Sequence, residues 1–150
     1  MVADDLSAVT RLCDQLGYPS AADDVADRLG RFDPRREQMI VALDEEGRVI
    51  GWVHVAEVRS AVLSRAADIG GLVVDQAHRG RGIGEELMAA AEAWAVDRGL
   101  ERVDVRSNVI RVDAHRFYER IGYRKIKTSF VLRREIKGSP PNQPPERRPE

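Results

Sequence analysis

Apolar positions along the chain change period several times, and each change marks an element. Leu6, Val9, Leu12, Cys13 and Leu16 fall on one stripe at helical spacing, which predicts a helix over residues 4–16. Cys13 sits on that stripe and reads as a small core residue rather than a nucleophile. Gly17-Tyr18-Pro19-Ser20 stops the helix, and Ser20 is placed to cap a second one over 21–29 that Gly30 closes. The period then drops to two. Residues 38–43 read as a strand, Asp44-Glu45-Glu46-Gly47 as a hairpin turn, and 48–58 as the return strand. Val53 and Val55 share one face of that strand while Trp52, His54 and Ala56 share the other. Both faces are apolar enough to be covered.

A third strand spans 68–74 with Gly70-Gly71 inside it, and two glycines in a strand predict a bulge or a close backbone approach. Ile83, Leu87, Ala91 and Trp94 then recur at helical spacing up to residue 98, with Glu85 and Glu86 in the first turn and Gly99 as the stop. Residues 102–106 form a further strand and 112–121 a short helix ended by Gly122. Residues 123–132, with 136 as the outer limit, are expected to form a final strand. Residues 137–150 carry five prolines and almost no apolar side chains, so they predict a disordered tail after a domain of 1–136. A proline-rich tail also suits a recruiting motif, and simple disorder is the plainer reading. No internal repeat is present. The order implies one mixed α/β sheet with helices on both faces.

Between the third strand and the long helix lies the stretch with most chemistry in it, His78-Arg79-Gly80-Arg81-Gly82-Ile83-Gly84. Glycines 80, 82 and 84 let backbone approach a ligand closely. Their N–H groups belong to a helix N-terminus, where the macrodipole favours negative charge. Arg79 and Arg81 add charge-assisted donors for phosphate oxygens. The stretch reads as an anion cradle suited to a pyrophosphate. It lacks the G-x-G-x-x-G spacing of dinucleotide binders and the Gly-Lys-Ser/Thr of P-loops. Taken alone it is also compatible with a plain strand–helix turn.

Composition narrows the class. At 150 residues and 43% hydrophobic content the chain holds one domain with a core. A net charge of -1 offers no field to recruit nucleic acid or an anionic membrane. The single cysteine precludes an internal disulfide, and there is neither a leader-like start nor a run of about 18 apolar residues. The expectation is a cytoplasmic protein. His54, His78 and His115 have no metal-ligand spacing, so no metal is expected.

Arg79-x-x-Gly82-x-Gly84, the preceding Leu72-Val73-Val74, and the downstream Asn108 with Ala114-His115-Arg116-Phe117-Tyr118-Glu119-Arg120-Ile121-Gly122-Tyr123 together resemble the GNAT acetyltransferase superfamily. The resemblance covers about residues 4–136. It is strongest over 72–123, where the run looks like the aminoalkylphosphonate and aminoglycoside acetyltransferase branch. It implies a mixed, mostly antiparallel sheet with helices on both faces, and acetyl-CoA as co-substrate. Backbone amides of Gly80, Arg81, Gly82, Ile83 and Gly84, with Arg79 at the rim, would hold the pyrophosphate. Val73 and Val74 would pair with the pantetheine arm, and the strand carrying Leu72 would splay from the one carrying Val103 to admit it. Asn108 would bond the cofactor, and Tyr118 would face its sulfur as proton donor to the leaving thiolate. A core aromatic beside Phe117 is the plainer reading of Tyr118.

The base remains open. Asp68 is the carboxylate nearest the position the family uses, with His54 and Glu57 on the neighbouring strand as further candidates. The family's first strand is missing or reduced to a stub, which leaves a sheet edge for a second subunit or for the tail to cover. The true start lying upstream is a further alternative. A homodimer is expected. The favoured acceptor is a small or medium primary amine. Protein N-termini or lysines are an alternative, as is a non-catalytic acyl-CoA sensor on the same fold.

Overall fold

The computed structural model describes residues 3–136 and Gly138, with side chains from residue 5 onward. Apart from Gly138, the expected disordered tail lies outside the described residues. Helices α1 (Ala3–Leu16) and α2 (Ala22–Gly30) precede strands β1 (Glu37–Leu43), β2 (Val49–Val58) and β3 (Ala66–Val74). A single 3-10 turn (Gln76–His78) leads to α3 (Ile83–Asp97), then β4 (Val103–Val105) and α4 (Val112–Arg120). The chain forms two compact units, one up to Arg106 that carries the sheet and one from Ser107 that carries α4.

The sheet order is β1-β2-β3-β4. The first two pairings are antiparallel and β3–β4 is parallel. Strand alternation divides the core between two layers. Trp52 and Val73, opposite each other across β2 and β3, join Val9 and Leu12 of α1 and Val25 of α2 in one buried cluster. On the other face, a Cβ added to Gly51 would lie 3.2 Å from Leu87 Cδ1 of α3. Val53 and Val55 follow Gly51 on that face and are fully buried. Helices therefore cover both faces, α1 and α2 on one and α3 on the other. Among the described residues no helix is long and apolar enough to cross a membrane.

Three expectations need correction or detail. Ser20 does not cap α2, whose N-cap is Ala21 with no side-chain hydrogen bond. The helix starts one residue later than expected, and Ser20 instead donates to the Tyr18 carbonyl (3.3 Å) and accepts from Arg28 (3.1 Å). Residues 123–132 do not form the expected final strand, nor does the stretch to 136. Their alternating sequence suits a strand, but a strand needs a neighbour's ladder. The unit from Ser107 contains no other strand among the described residues to supply one. Cys13 packs against the core cluster, as its place on the stripe predicts, and burial pushes its thiol pKa up.

The sheet is tied to α1 by one carboxylate at the end of β3. Asp75 is buried and accepts from Arg11 Nη1 (2.9 Å), Gln15 Nε2 (3.3 Å) and the Ala77 N–H (3.4 Å). Gln15 in turn accepts from the Gln76 N–H at 2.9 Å. The Arg11 hydrogen bond, opposed by burial, holds the Asp75 carboxyl down at about 2. A carboxylate with a depressed folded-state pKa stabilises above its unfolded value near ~3.9. That contribution is lost as pH falls toward 2. Asp75→Ala should cost roughly 1.5–3 kcal/mol at pH 7 through its charged hydrogen bonds. In urea melts the gap between wild type and variant should narrow between pH 5 and pH 2. A gap that is constant with pH would show the carboxylate charge to be irrelevant.

Candidate acetyl-transfer site

The loop after β3 adopts the conformation its glycines permit. Gly80 (φ 77°) and Gly82 (φ 82°) both lie in the left-handed region, where a side chain would be strained. Gly82 is the N-cap of α3 and, having no side chain, makes no capping hydrogen bond. The first N–H groups of α3 therefore have no intrahelical acceptor and no side-chain cap. Arg79, Gly80, Arg81 and Gly82 are all exposed. Arg79 is aimed by its Nε, which donates to the Val74 carbonyl at 3.1 Å. An added Cβ at Gly80 or Gly82 would meet nothing within 4 Å, so the cradle opens outward. Uncapped amides, a helix dipole and two arginines together suit a pyrophosphate.

The strand leading into this loop is open along one edge. β3 pairs with β4 only from Ala67↔Val103 to Ile69↔Val105, while its pairing with β2 continues to Val74. Among the described residues, no strand lies beside the edge of β3 that faced β4 from Gly70 onward. The register with β2 shifts at the same place, because His54 pairs with Gly71 and Val55 with Ile69, leaving Gly70 as a bulge. The bulge expected of the glycine pair is present, and it is side chains rather than backbone that approach the two glycines closely. A Cβ on Gly71 would sit 2.8 Å from Trp52, and one on Gly70 would overlap His54 Nδ1. Leu72, Val73 and Val74 thus run past the end of the β4 ladder, which stops with β4 itself at Val105, and into the glycine loop.

Asp68 lies on β3 just before the bulge, opposite Asp104 of β4. Burial pushes its carboxyl up, Arg106 opposes this, Asp104 adds to it and His54 lowers it. Asp68 Oδ1 is 3.0 Å from Arg106 Nη2, yet this buried oxygen receives no aligned hydrogen bond. The contact is an ion pair with poor directionality. Beside it lies a cleft of about 330 Å³, including space open to solvent, bordered by Asp68, Asp104, Arg102, Arg106 and Ser64.

The other two candidate bases differ sharply. Glu57 is buried and held by Arg65 (2.9 Å) and Arg59 (3.0 Å). Those hydrogen bonds, Arg65's first, bring its pKa down to about 2, which suits a structural ion pair and not a base. His54 is half-buried, stacks on Phe32 with ring centroids 4.7 Å apart, and bonds Glu37 Oε2 through Nε2 at 2.8 Å.

Asn108 and Tyr118 belong to the second unit. Asn108 Oδ1 accepts from the Ile110 N–H (3.2 Å), and its carbonyl lies 2.9 Å from His115 Nε2. The side-chain amide N–H₂ of Asn108 is thus the end left to meet a ligand. Tyr118 packs edge-on against Phe117 (5.2 Å) and Tyr123 (5.9 Å). Burial pushes its phenol above the usual value, with Arg111 opposing.

Two residues escaped the sequence reading. Glu37 was taken as lying outside the first strand, and its signal is register: it shares a strand face with Met39, the partner of His54. Asp75 stands one residue past the end of β3. Nothing local marks its partners, since Arg11 and Gln15 lie 64 and 60 residues away.

Residues 5–123 match the family model described as Acetyltransferase (GNAT) family. The chain is 32% identical over 121 residues to the aminoalkylphosphonate N-acetyltransferase of Salmonella typhimurium, covering 80% of this chain and 76% of that protein. It is also 30% identical to human N-acetyltransferase 8B, over 58% of this chain and 39% of that one. Among solved structures, aminoglycoside acetyltransferase AAC(6')-Iy with a CoA bisubstrate analogue aligns at TM-score 0.76 and 18% identity, covering 91% and 95% of the two chains. The apo aminoglycoside 6'-N-acetyltransferase of Acinetobacter haemolyticus aligns at TM-score 0.77 and 15% identity, covering 91% and 97%. The chain therefore belongs to the GNAT family of acetyltransferases, and its reaction is acetyl-CoA-dependent N-acetylation.

Proposed function

We propose that the protein moves the acetyl group of acetyl-CoA to a small or medium primary amine by direct attack within a ternary complex. The observation that carries this reading is the open edge of β3 running from the Gly70 bulge into the uncapped N-terminus of α3. An extended amide-bearing arm fits the edge, and a pyrophosphate fits the cradle. The amides of Gly80, Arg81, Gly82, Ile83 and Gly84, with Arg79, neutralise the phosphates. Val73 and Val74 pair with the arm, and a β3 amide near them donates to the carbonyl oxygen as negative charge grows there. Asn108 contributes its amide donor to the cofactor. Tyr118 supplies the proton to the departing thiolate. Asp68 meets the positive charge of the acceptor at the cleft, so the amine's proton leaves on that side. The 32% identity to an aminoalkylphosphonate N-acetyltransferase supports an acceptor carrying both an amine and an anionic group. Arg102 and Arg106 beside the two aspartates suit such a pair of charges.

We also assign a homodimer. Phe130 (94% exposed) and Leu132 (92%) project from a segment whose sequence suits a strand, and a second copy would supply its ladder.

The cradle is tested by Gly82→Asp. A carboxylate and a Cβ at this left-handed N-cap oppose both the backbone and the incoming phosphate. Acetyl-CoA affinity in calorimetry should fall about tenfold or more, equivalent to ~1.4 kcal/mol, with circular dichroism unchanged. Unaltered affinity would remove the loop from the site.

Tyr118→Phe deletes only the hydroxyl. Turnover should fall, at the low end of the ~10²–10⁴-fold typical of general acids because a thiolate leaves easily. Acetyl-CoA affinity should hold. Since the phenol's pKa is raised, the wild-type alkaline limb should lie above ~10, and the variant should lack it. Equal turnover at saturating substrates would leave Tyr118 a packing residue.

Light scattering should report twice the 16.8 kDa chain mass, and Phe130→Asp with Leu132→Asp should shift it toward monomer. Monomer alone at high wild-type concentration would defeat the assignment.

A further inference from the structure

We infer that His54, locked in one tautomer by Glu37, is the group that takes the proton from the acceptor amine. The inference rests on the reading that the open edge of β3 receives the thioester.

The argument begins with Glu37, whose two oxygens are both engaged. Oε1 accepts from the Asp33 N–H at 3.1 Å, and Oε2 lies 2.8 Å from His54 Nε2. A carboxylate only accepts, so the hydrogen between them sits on Nε2. In the neutral imidazole this leaves the lone pair on Nδ1, which is what a base requires. Phe32 covers one ring face and fixes its plane.

Nδ1 points at Gly70, one of the two places on β3 without a side chain. Gly70 is exposed, and a Cβ there would overlap Nδ1. The bulge thus gives the imidazole its window toward the open edge. His54 is opposite Gly71, two residues before Val73, which is ~7 Å along a strand. That spacing suits an amine attacking a carbonyl held at Val73. The charged groups that bear on the ring are Glu37 from β1 and Asp68 from β3, with Arg106 paired to Asp68. The Asp33 side chain is turned away to Arg35.

The step balances without further reagents. The amine nitrogen forms the new C–N bond as the C–S bond breaks. Before attack one proton passes from the ammonium form of that nitrogen to His54 Nδ1 and on to water, and the second leaves as the C–S bond breaks and restores the phenol of Tyr118, which has protonated the thiolate. Asp68 then serves as a positioning residue that keeps positive charge favourable at the site.

His54→Gln is the first variant, because its amide still donates toward Glu37 but offers no base at the Nδ1 position. With acetyl-CoA and an aminoalkylphosphonate or another amine that wild type acetylates, kcat should fall ~10²-fold near neutral pH. The KM for acetyl-CoA should hold. The deficit should shrink as pH rises toward the amine's own pKa, because free amine then needs no base. A structural defect would lower the rate equally at every pH, and that outcome, or a wild-type rate, overturns the inference. Nitrogen-15 NMR of the imidazole in the complex with CoA gives an arm independent of turnover. It should report hydrogen on Nε2 and a bare Nδ1, and the opposite tautomer also overturns the inference. Failure of the wild type to bind acetyl-CoA would instead strike at the underlying reading of the β3 edge.

Discussion

The site depends on a conflict within β3, which must belong to the sheet and also stop belonging to it. Its first half sits between two neighbours, and from Gly70 its edge toward β4 is released. The bulge makes this change of partners local. One extra residue alters twist and register over a single step, so the remainder of β3 keeps its ladder with β2 while the other edge turns outward. Side chains from β2 fill the space that two missing Cβ atoms leave, Trp52 over Gly71 and His54 over Gly70. Trp52 belongs to the buried cluster with α1 and α2, so the release point is fixed by the core itself. A larger residue at either glycine would push against a packed indole or a hydrogen-bonded imidazole.

Three carboxylates near this strand show how partners decide between holding and reacting. Asp75 and Glu57 each accept aligned bonds from arginines, and both sit near a pKa of about 2. They are pinned as anions and tie α1 and the segment after β2 to the sheet. Asp68 has an arginine at a similar distance but poorly aimed, a second aspartate opposite and a half-buried position, and its pKa moves up instead. Hydrogen-bond geometry, more than proximity of opposite charge, separates the two outcomes. The electrostatically uncomfortable carboxylate is the one beside the cleft, as expected where charge is kept available for a ligand.

What could be read from the sequence was whatever is encoded locally. Helical stripes such as Leu6-Val9-Leu12-Leu16, the Asp44–Gly47 turn, the glycine bulge and the cradle at 79–84 all announce themselves within a few residues. The start of α2 was misjudged because a good capping residue, Ser20, stood one position too early. The strand expected over 123–132 failed for another reason. Alternation reports what a segment can become, whereas a ladder needs a partner strand, and the described residues of this unit offer none. The Glu37–His54 and Asp75–Arg11 pairs were invisible because register and long-range packing create them.

The same division explains why likeness to solved acetyltransferases survives at 15–18% identity with TM-scores of 0.76–0.77. On the proposed reading, binding the phosphates and the extended arm would use backbone amides, a helix dipole and an open strand edge. Those features require glycines at a few positions and a register, and leave most side chains free to change. Acceptor chemistry has no such backbone basis. On the proposed reading it would be carried by Asp68, Asp104, Arg102, Arg106 and the His54–Glu37 pair, where each substitution alters charge or hydrogen bonding directly. On the proposed reading the cradle would fix which acyl donor is used, while the short run of polar side chains around the bulge would set which amine is acetylated and how it loses its proton.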